Sequence, residues 1–459
     1  MALKRRKRIR WGWVNGRKGP VLAVLATLLV TAACTAGGGG TATPPPETGG
    51  SHAPVTVTLW TYWTGDEKKL FDQGLQAFEQ QYPWITVNHV GGITDPSKVL
   101  AAVNGGNPPD LWQYWDPTYV QPYCSSGAIL DLQRYADQDG LDMSQFSPYW
   151  VSQLEYQGRL CALPYLADAY GLYYNRTLLQ KAGFSGPPTT LSELTAMAKK
   201  LTQYNPDGSI KVAGFVPLFG WHENGAATFA QAFGAHWLDD PDHSALASDP
   251  AWAEMLRWQK SFVDDYGYDK LQTFVSGSAE EFSASNDFEI GRVAMTLDGE
   301  WRVAFIAREH PDLKYGTAPF PVADDHPDLA GSGYIVTNVF TVPRGAEHPY
   351  EAWLLAKFLS TDTDSLVKLG DALKNIPDTQ QALNDPTLTS DEQFKTFLDI
   401  YQDPDSSFPP TSPTAGAAWQ GLVDQFAEQW QAGKVSDLES GLQQTAEQID
   451  RQLEQGAGG

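Results

Sequence analysis

Residues 55–87 constrain the fold of this chain more than any other stretch. Val55, Val57 and Leu59 alternate with Thr56 and Thr58, the two-residue period of a strand. The pattern breaks at Trp63-Thr64-Gly65, after which Leu70, Phe71, Leu75 and Phe78 mark the buried face of a helix. Thr64 and Glu67 stand at the spacing of a capping box. Tyr82-Pro83 ends the helix, and Ile85-Thr86-Val87 opens a second strand. Strand, helix, strand at this spacing implies parallel pairing and an α/β fold class.

The rhythm recurs downstream. Residues 163–174 hold an apolar-rich strand with one Gly, and Thr190 and Glu193 form a second capping box before Leu194, Met197, Ala198 and Leu201. Residues 251–262 and 349–359 read as helices. From about 435 to 453 runs a polar amphipathic helix carrying Leu438, Leu442 and Leu453. No short-period repeat is present, which argues against a solenoid. With 459 residues the chain is long enough for two or more domain-sized units, and the body reads as two lobes.

The N-terminus says where the chain works. Residues 1–18 carry eight Lys and Arg and no acid, an apolar run fills residues 21–30, and Thr31-Ala32-Ala33-Cys34 follows. A basic segment, a short apolar core and small residues at a cleavage site make residues 1–33 a secretory signal peptide. The run is short of the roughly 20 apolar residues that span a bilayer. A Cys directly after small residues resembles a bacterial lipobox, with Thr31 where Leu is usual, so Cys34 is a candidate for lipidation. The alternative is a plain signal peptide with an incidental Cys. Residues 34–54, rich in Gly, Thr and Pro, then form a flexible tether. On either reading the protein works outside the cytoplasmic membrane.

Removing residues 1–33 leaves 24 Lys and Arg against 55 Asp and Glu, a net charge of −31. So acidic a surface argues against nucleic acid and anionic membrane faces as partners. Many of the 16 Trp must be core, but in an exported chain so many also suit stacking on sugar rings. With Cys34 assigned to lipid, Cys124 and Cys161 remain as an even pair in an oxidising compartment, and a disulfide is expected. Closing that loop contributes about 3–4 kcal/mol. Two free buried thiols are the alternative. No His and Cys spacing suggests a metal site, and no cofactor is expected.

Ordered motifs then resemble a known family. They are LWTYWTGDEKKLFDQGLQAFEQQYPWITV at the opening, Gly105-Gly106-Asn107-Pro108-Pro109-Asp110, and Ser126-Gly127-Ala128-Ile129-Leu130-Asp131-Leu132. GRLCALPYLADAYGLYYNRTLLQKAGF and Pro188-Thr189-Thr190-Leu191-Ser192-Glu193-Leu194 follow, the last with Leu191 where Trp is usual. Gly291-Arg292-Val293-Ala294-Met295, Gly299-Glu300-Trp301 and Glu351-Ala352-Trp353 complete the set. The chain resembles the extracellular sugar-binding proteins of ABC importers, the family of the maltose/maltodextrin-binding protein. The resemblance implies a periplasmic-binding-protein-like fold, two α/β lobes with a hinge and an interlobe cleft. Approximate boundaries are 55–165 with 290–345 for lobe 1 and 166–289 with 346–455 for lobe 2. It further implies a monomer that captures a carbohydrate without catalysis and delivers it to a membrane permease.

Sugar recognition needs aromatic faces and carboxylates on loops facing the cleft. Trp63, Asp66 and Glu67 lie at the first strand-to-helix turn, although Glu67 is also claimed by the capping box and Asp66 suits a helix N-terminus. Trp115 and Asp116 follow a short apolar strand, where Asp116-Pro117 would equally start a type I turn. Asp168 and Tyr170 interrupt an apolar run, and the resemblance implies that Asp168 is a cleft acid at the crossing between lobes, although it could equally be a hinge residue bonding backbone N–H groups. Trp221, His222, Glu223 and Asn224 form a loop, and Trp237 comes one helix later. Trp301 sits at a helix start, Gly333 allows close backbone approach, and Trp419 either stacks on ligand or packs a helix. Two alternatives stay open. A secreted glycoside hydrolase could draw a carboxylate pair from Asp116, Asp168 and Glu223. The solute could also be a polyamine, a polyol phosphate or a peptide, although the loops are poor in the Arg and Lys a phosphate needs.

Overall fold

The computed structural model describes residues 52–412 and 418–457, which lie within one compact unit. The expected strand–helix–strand unit forms. Val55–Trp60 and Ile85–Val90 pair in parallel from Val55 opposite Ile85 to Trp60 opposite Val90, joined by the helix Gly65–Gln81. That helix buries Phe71, Leu75 and Phe78, and Gly74 between them admits Leu369 from the helix Thr363–Leu373. A Cβ at Gly74 would stand 2.8 Å from a Leu369 methyl, so the two helices approach only because that position has no side chain.

One strand organises the rest. Leu163–Asn175 is 13 residues long, and all but Tyr174 are buried, so it shows no polar alternation. Its first half continues the sheet begun at the N-terminus. Leu111–Tyr114 pairs with Val55–Trp60 in parallel, Ile335–Thr341 pairs antiparallel with Leu111–Tyr114, and Leu163–Ala169 pairs with Ile335–Thr341. The second half leaves those partners for others. Met295–Gly299 and Tyr315–Pro319 flank residues 170–175, both antiparallel. A single strand therefore carries the chain from one α/β half to the other, and residues near its middle face the space between them.

Two local expectations are tested by cap geometry. At Thr190 the side chain accepts from Glu193 N at 3.3 Å, and Glu193 accepts from Thr189 N at 2.8 Å, one residue before the cap. The box expected at Thr64 does not form. Thr64 caps the helix by backbone conformation alone, with no side-chain hydrogen bond, and Glu67 is left free. Cys124 and Cys161 are joined in a disulfide with Cα atoms 6.0 Å apart, both side chains buried. Cys34 lies outside the described residues. Among those described, no helix is long and apolar enough to cross a membrane, and no group of acids, His and Cys is set to hold a metal ion.

Candidate functional site

The strand ends and loops around the middle of Leu163–Asn175 enclose two adjoining cavities of about 440 and 380 Å³, both within the range of small-molecule sites. Trp115, Tyr170 and Glu223 line both, so the two form one elongated cleft. Trp63, Glu67, Asp168 and Trp301 line the first cavity, and Asp116 and Trp237 the second. Nine of the thirteen expected ligand contacts therefore gather in one cleft.

Each is positioned by an identifiable local feature. Trp301 follows the strand Met295–Gly299 and folds its ring over Gly299, where a Cβ would stand 2.3 Å from the indole. Its ring meets Tyr170 edge-on at 5.5 Å, and its Nε1 has no hydrogen-bond partner. Trp115 is 42% exposed, an unusual state for a Trp beside so much apolar surface. Asp116 serves both readings at once. Its carboxylate accepts from Thr118 N at 2.9 Å to cap the turn Pro117–Tyr119, while the residue still lines the second cavity.

Asp168 anchors a buried polar network at the crossing. Asn375 Nδ2 donates to Asp168 Oδ1 at 2.7 Å and to Glu300 Oε1 at 2.9 Å, and Ala169 N donates to the other Glu300 oxygen. Asn338 ties this group to the first half, accepting from Tyr62 Oη at 2.8 Å and donating to Leu166 O at 2.7 Å. Burial pushes Asp168 up to about 6 and raises Glu300 well above the usual carboxylate range, with the neighbouring Asp168 charge adding to the latter. Glu67 is pushed up to about 7 by burial. Glu223 is raised well above its ordinary value by burial and then by Glu281. Beneath it Arg302, fully buried, donates to Asp298 at 2.7 Å and to Glu289 at 3.2 Å. This ion-paired side chain holds the loop that presents Trp301.

Four expected contacts stand outside the cleft. Asp66 is exposed and pairs with Lys69 at 2.7 Å. Trp221 is 7% exposed and packs on His222, whose backbone takes the left-handed φ of 49°. Gly333 lies behind Tyr170, where a Cβ would come within 3.0 Å of Tyr170 O, so its role is close packing of backbone. Trp419 is fully buried and meets Trp237 edge-on at 5.5 Å, supporting a cleft residue from within the core. Other lining residues were not anticipated: Tyr62, Thr94, Phe282 and Asn375 in the first cavity, and Tyr334 and Asp424 in the second. They come from scattered loops without periodic pattern. The polar Asn375 between two apolar segments is the one signal among them.

Comparison with known proteins gives the family and the fold. A family model for bacterial extracellular solute-binding proteins matches residues 73–396. The maltotriose-binding protein of Pyrococcus abyssi is 22% identical over 399 residues, covering 87% of this chain and 82% of that protein. The solved structure of CpMnBP1 with mannotriose bound superposes with a TM-score of 0.77 at 26% identity, covering 86% of this chain and all of that one. The GacH receptor of Streptomyces glaucescens, solved unliganded and in complex with acarbose, shares the fold, at a TM-score of 0.70 and 20% identity, over 88% of this chain and 99% of its own.

Proposed function

We propose, for a chain that belongs to the bacterial extracellular solute-binding protein family, that the cleft captures a carbohydrate and that the loaded protein delivers it to the permease of an ABC importer. The observation that carries this reading is the meeting of the aromatic faces of Trp115, Tyr170 and Trp301 with the carboxyls of Glu67, Asp168 and Glu223 in one cleft. Apolar ring faces stack on the C–H faces of a sugar, and carboxylates accept from its hydroxyls. Two adjoining cavities suit an oligosaccharide better than one ring. A thermal-shift screen against mono- and oligosaccharides tests this. A ligand at 100 times its Kd stabilises the fold by about 2.7 kcal/mol. A screen in which no sugar shifts the transition removes the carbohydrate assignment. Trp301→Ala removes a stacking face and weakens binding by about 1–3 kcal/mol, by analogy with stacking on planar bases.

Solute capture requires no chemical step. The hydrolase alternative, which needs two carboxyls flanking a scissile bond, is discarded if the best-binding oligosaccharide is recovered intact after prolonged incubation. Strand pairing supports a lobe division that departs from the expected one, in which all of residues 290–345 belonged to lobe 1. Residues 295–319 go with the second half of the crossing strand, residues 335–341 with the first. Closure of the lobes on the solute then bends residues near Asp168. The remaining parts of this reading are a lipid on Cys34, a monomeric state and an extracytoplasmic position at the membrane. Cys34→Ala releases the protein into the medium if the anchor is there; retention in the membrane fraction removes that claim.

A further inference from the structure

Phe282 is 57% exposed, more than any other large apolar side chain among the described residues. An isolated apolar side chain on a surface needs no explanation. This one lines the first cavity, together with Trp115 and Trp301. Its ring centre lies 6.4 Å from that of Trp301, 5.8 Å from that of Phe305 and 5.8 Å from the Arg302 guanidinium. Phe305 and Arg302 are buried, so the ring is backed by the protein while more than half of the residue stays open to solvent.

The loop that presents it is tied down on both sides. Glu281 O, one residue before, accepts from Arg302 Nη1 and from Asn286 Nδ2, both at 3.0 Å. Ser283 N, one residue after, donates to Glu280 O at 3.1 Å, and Ala284 O accepts from His310 Nε2 at 2.8 Å. An aromatic ring held out to solvent on a fixed backbone loses little freedom when a ligand covers it. Trp115, 42% exposed, is its counterpart on the other half of the molecule. The aromatic lining of the cavity thus grades from buried at Tyr170, on the crossing strand, to open at Phe282.

We infer that Phe282 is a stacking platform for a sugar unit beyond the one that meets Tyr170 and Trp301, and that it gives the cleft a preference for longer chains. The inference rests on the carbohydrate reading above and adds to it a residue that selects chain length. Its rival is a structural role, since the same ring covers the buried Arg302. Two variants separate them: Phe282→Leu keeps an apolar cover but has no flat face, and Phe282→Tyr keeps the face. Wild type and both variants are titrated with four homologous series from monomer to pentamer, α-1,4-linked glucose and β-1,4-linked glucose, mannose and xylose. In at least one series the wild type gains affinity with an added unit. Phe282→Leu leaves the shortest member that binds within about twofold and cuts that gain about fivefold or more, the scale of one stacking contact. Phe282→Tyr restores the gain. An undiminished gain in Phe282→Leu, a loss equal at every length, or the same loss in Phe282→Tyr overturns the proposal. So does affinity that fails to rise with length, or binding in none of the four series. If a sugar from the wider screen binds meanwhile, carbohydrate capture stands and only the platform falls. If no sugar binds at all, both fall.

Discussion

Two turns of this chain carry the same capping signature and fold to different ends. Thr190 and Glu193 close a near-reciprocal cap, and Glu193 is held below the usual carboxylate range by the hydrogen bonds of Thr189. Thr64 and Glu67 have the same spacing, yet Thr64 makes no side-chain cap and Glu67 is pushed up to about 7 by burial in the cleft wall. A carboxyl that forgoes an available local partner costs stability, and such departures from local consistency concentrate where a ligand supplies the missing partner. On the proposed reading, the first turn serves binding and the second the helix it starts.

The largest effect should separate the two turns in binding. Glu67→Gln weakens the best sugar by about 1.5–3 kcal/mol, or about 10- to 150-fold in Kd, as for a lost charged hydrogen bond. Glu193→Gln changes Kd by less than about twofold in the same titration. Equal losses would erase the distinction.

The next contrast is in pH. Between its ordinary 4.5 and its folded value of about 7, Glu67 keeps a proton in the folded state that the unfolded chain has released. Stability without ligand therefore falls as pH rises through that window, and Asp168 and Asp378, both raised by burial, contribute in the same sense. Glu67→Gln should be more stable than the wild type by about 1–2 kcal/mol above pH 7 and nearly equal to it near pH 4. Denaturant titrations at the two pH values measure this, and a gain confined to low pH would contradict it. Glu193 acts in the opposite direction. Its lowered value gives stability that is present above the ordinary value and lost as pH falls through the folded one, by a small amount because the group is exposed.

The smallest contrast is in the caps themselves. Thr190→Ala costs about 1 kcal/mol of stability, whereas Thr64→Ala stays within about 0.5 kcal/mol. Equal costs in chemical denaturation would show that Thr64 caps its helix in solution after all.

The regular elements were legible because their signals are local. The alternation at Val55, Val57 and Leu59 and the helical recurrence of Phe71, Leu75 and Phe78 survive folding unchanged, since the same residues that set the period fill the core. The polar interruption at Asp168 marked a group in need of partners, because an acid buried in an apolar run requires them, and Asn375 and Asn338 are those partners; that it sits at the crossing came from the family resemblance. What sequence could not give is which tryptophan faces in. Trp115 and Trp419 are equally apolar, yet one is 42% exposed in the cleft and the other fully buried beside Trp237. That outcome depends on helix placement hundreds of residues away. Asn375 escaped notice for the same reason: its partners Asp168 and Glu300 are 207 and 75 positions distant. Asp66 looked like a contact because it shares the first turn with Glu67, but one step around a helix turns a side chain to solvent, where Lys69 meets it.

The most direct test of the account is calorimetric titration of the purified protein and of its Glu67→Gln and Glu193→Gln variants with the sugar that most raises the melting temperature. Saturable one-to-one binding with a negative heat-capacity change, as expected for apolar ring faces leaving water, weakened in Glu67→Gln and unchanged in Glu193→Gln, is the predicted result. No saturable binding of any carbohydrate, or equal affinity in all three proteins, would contradict it.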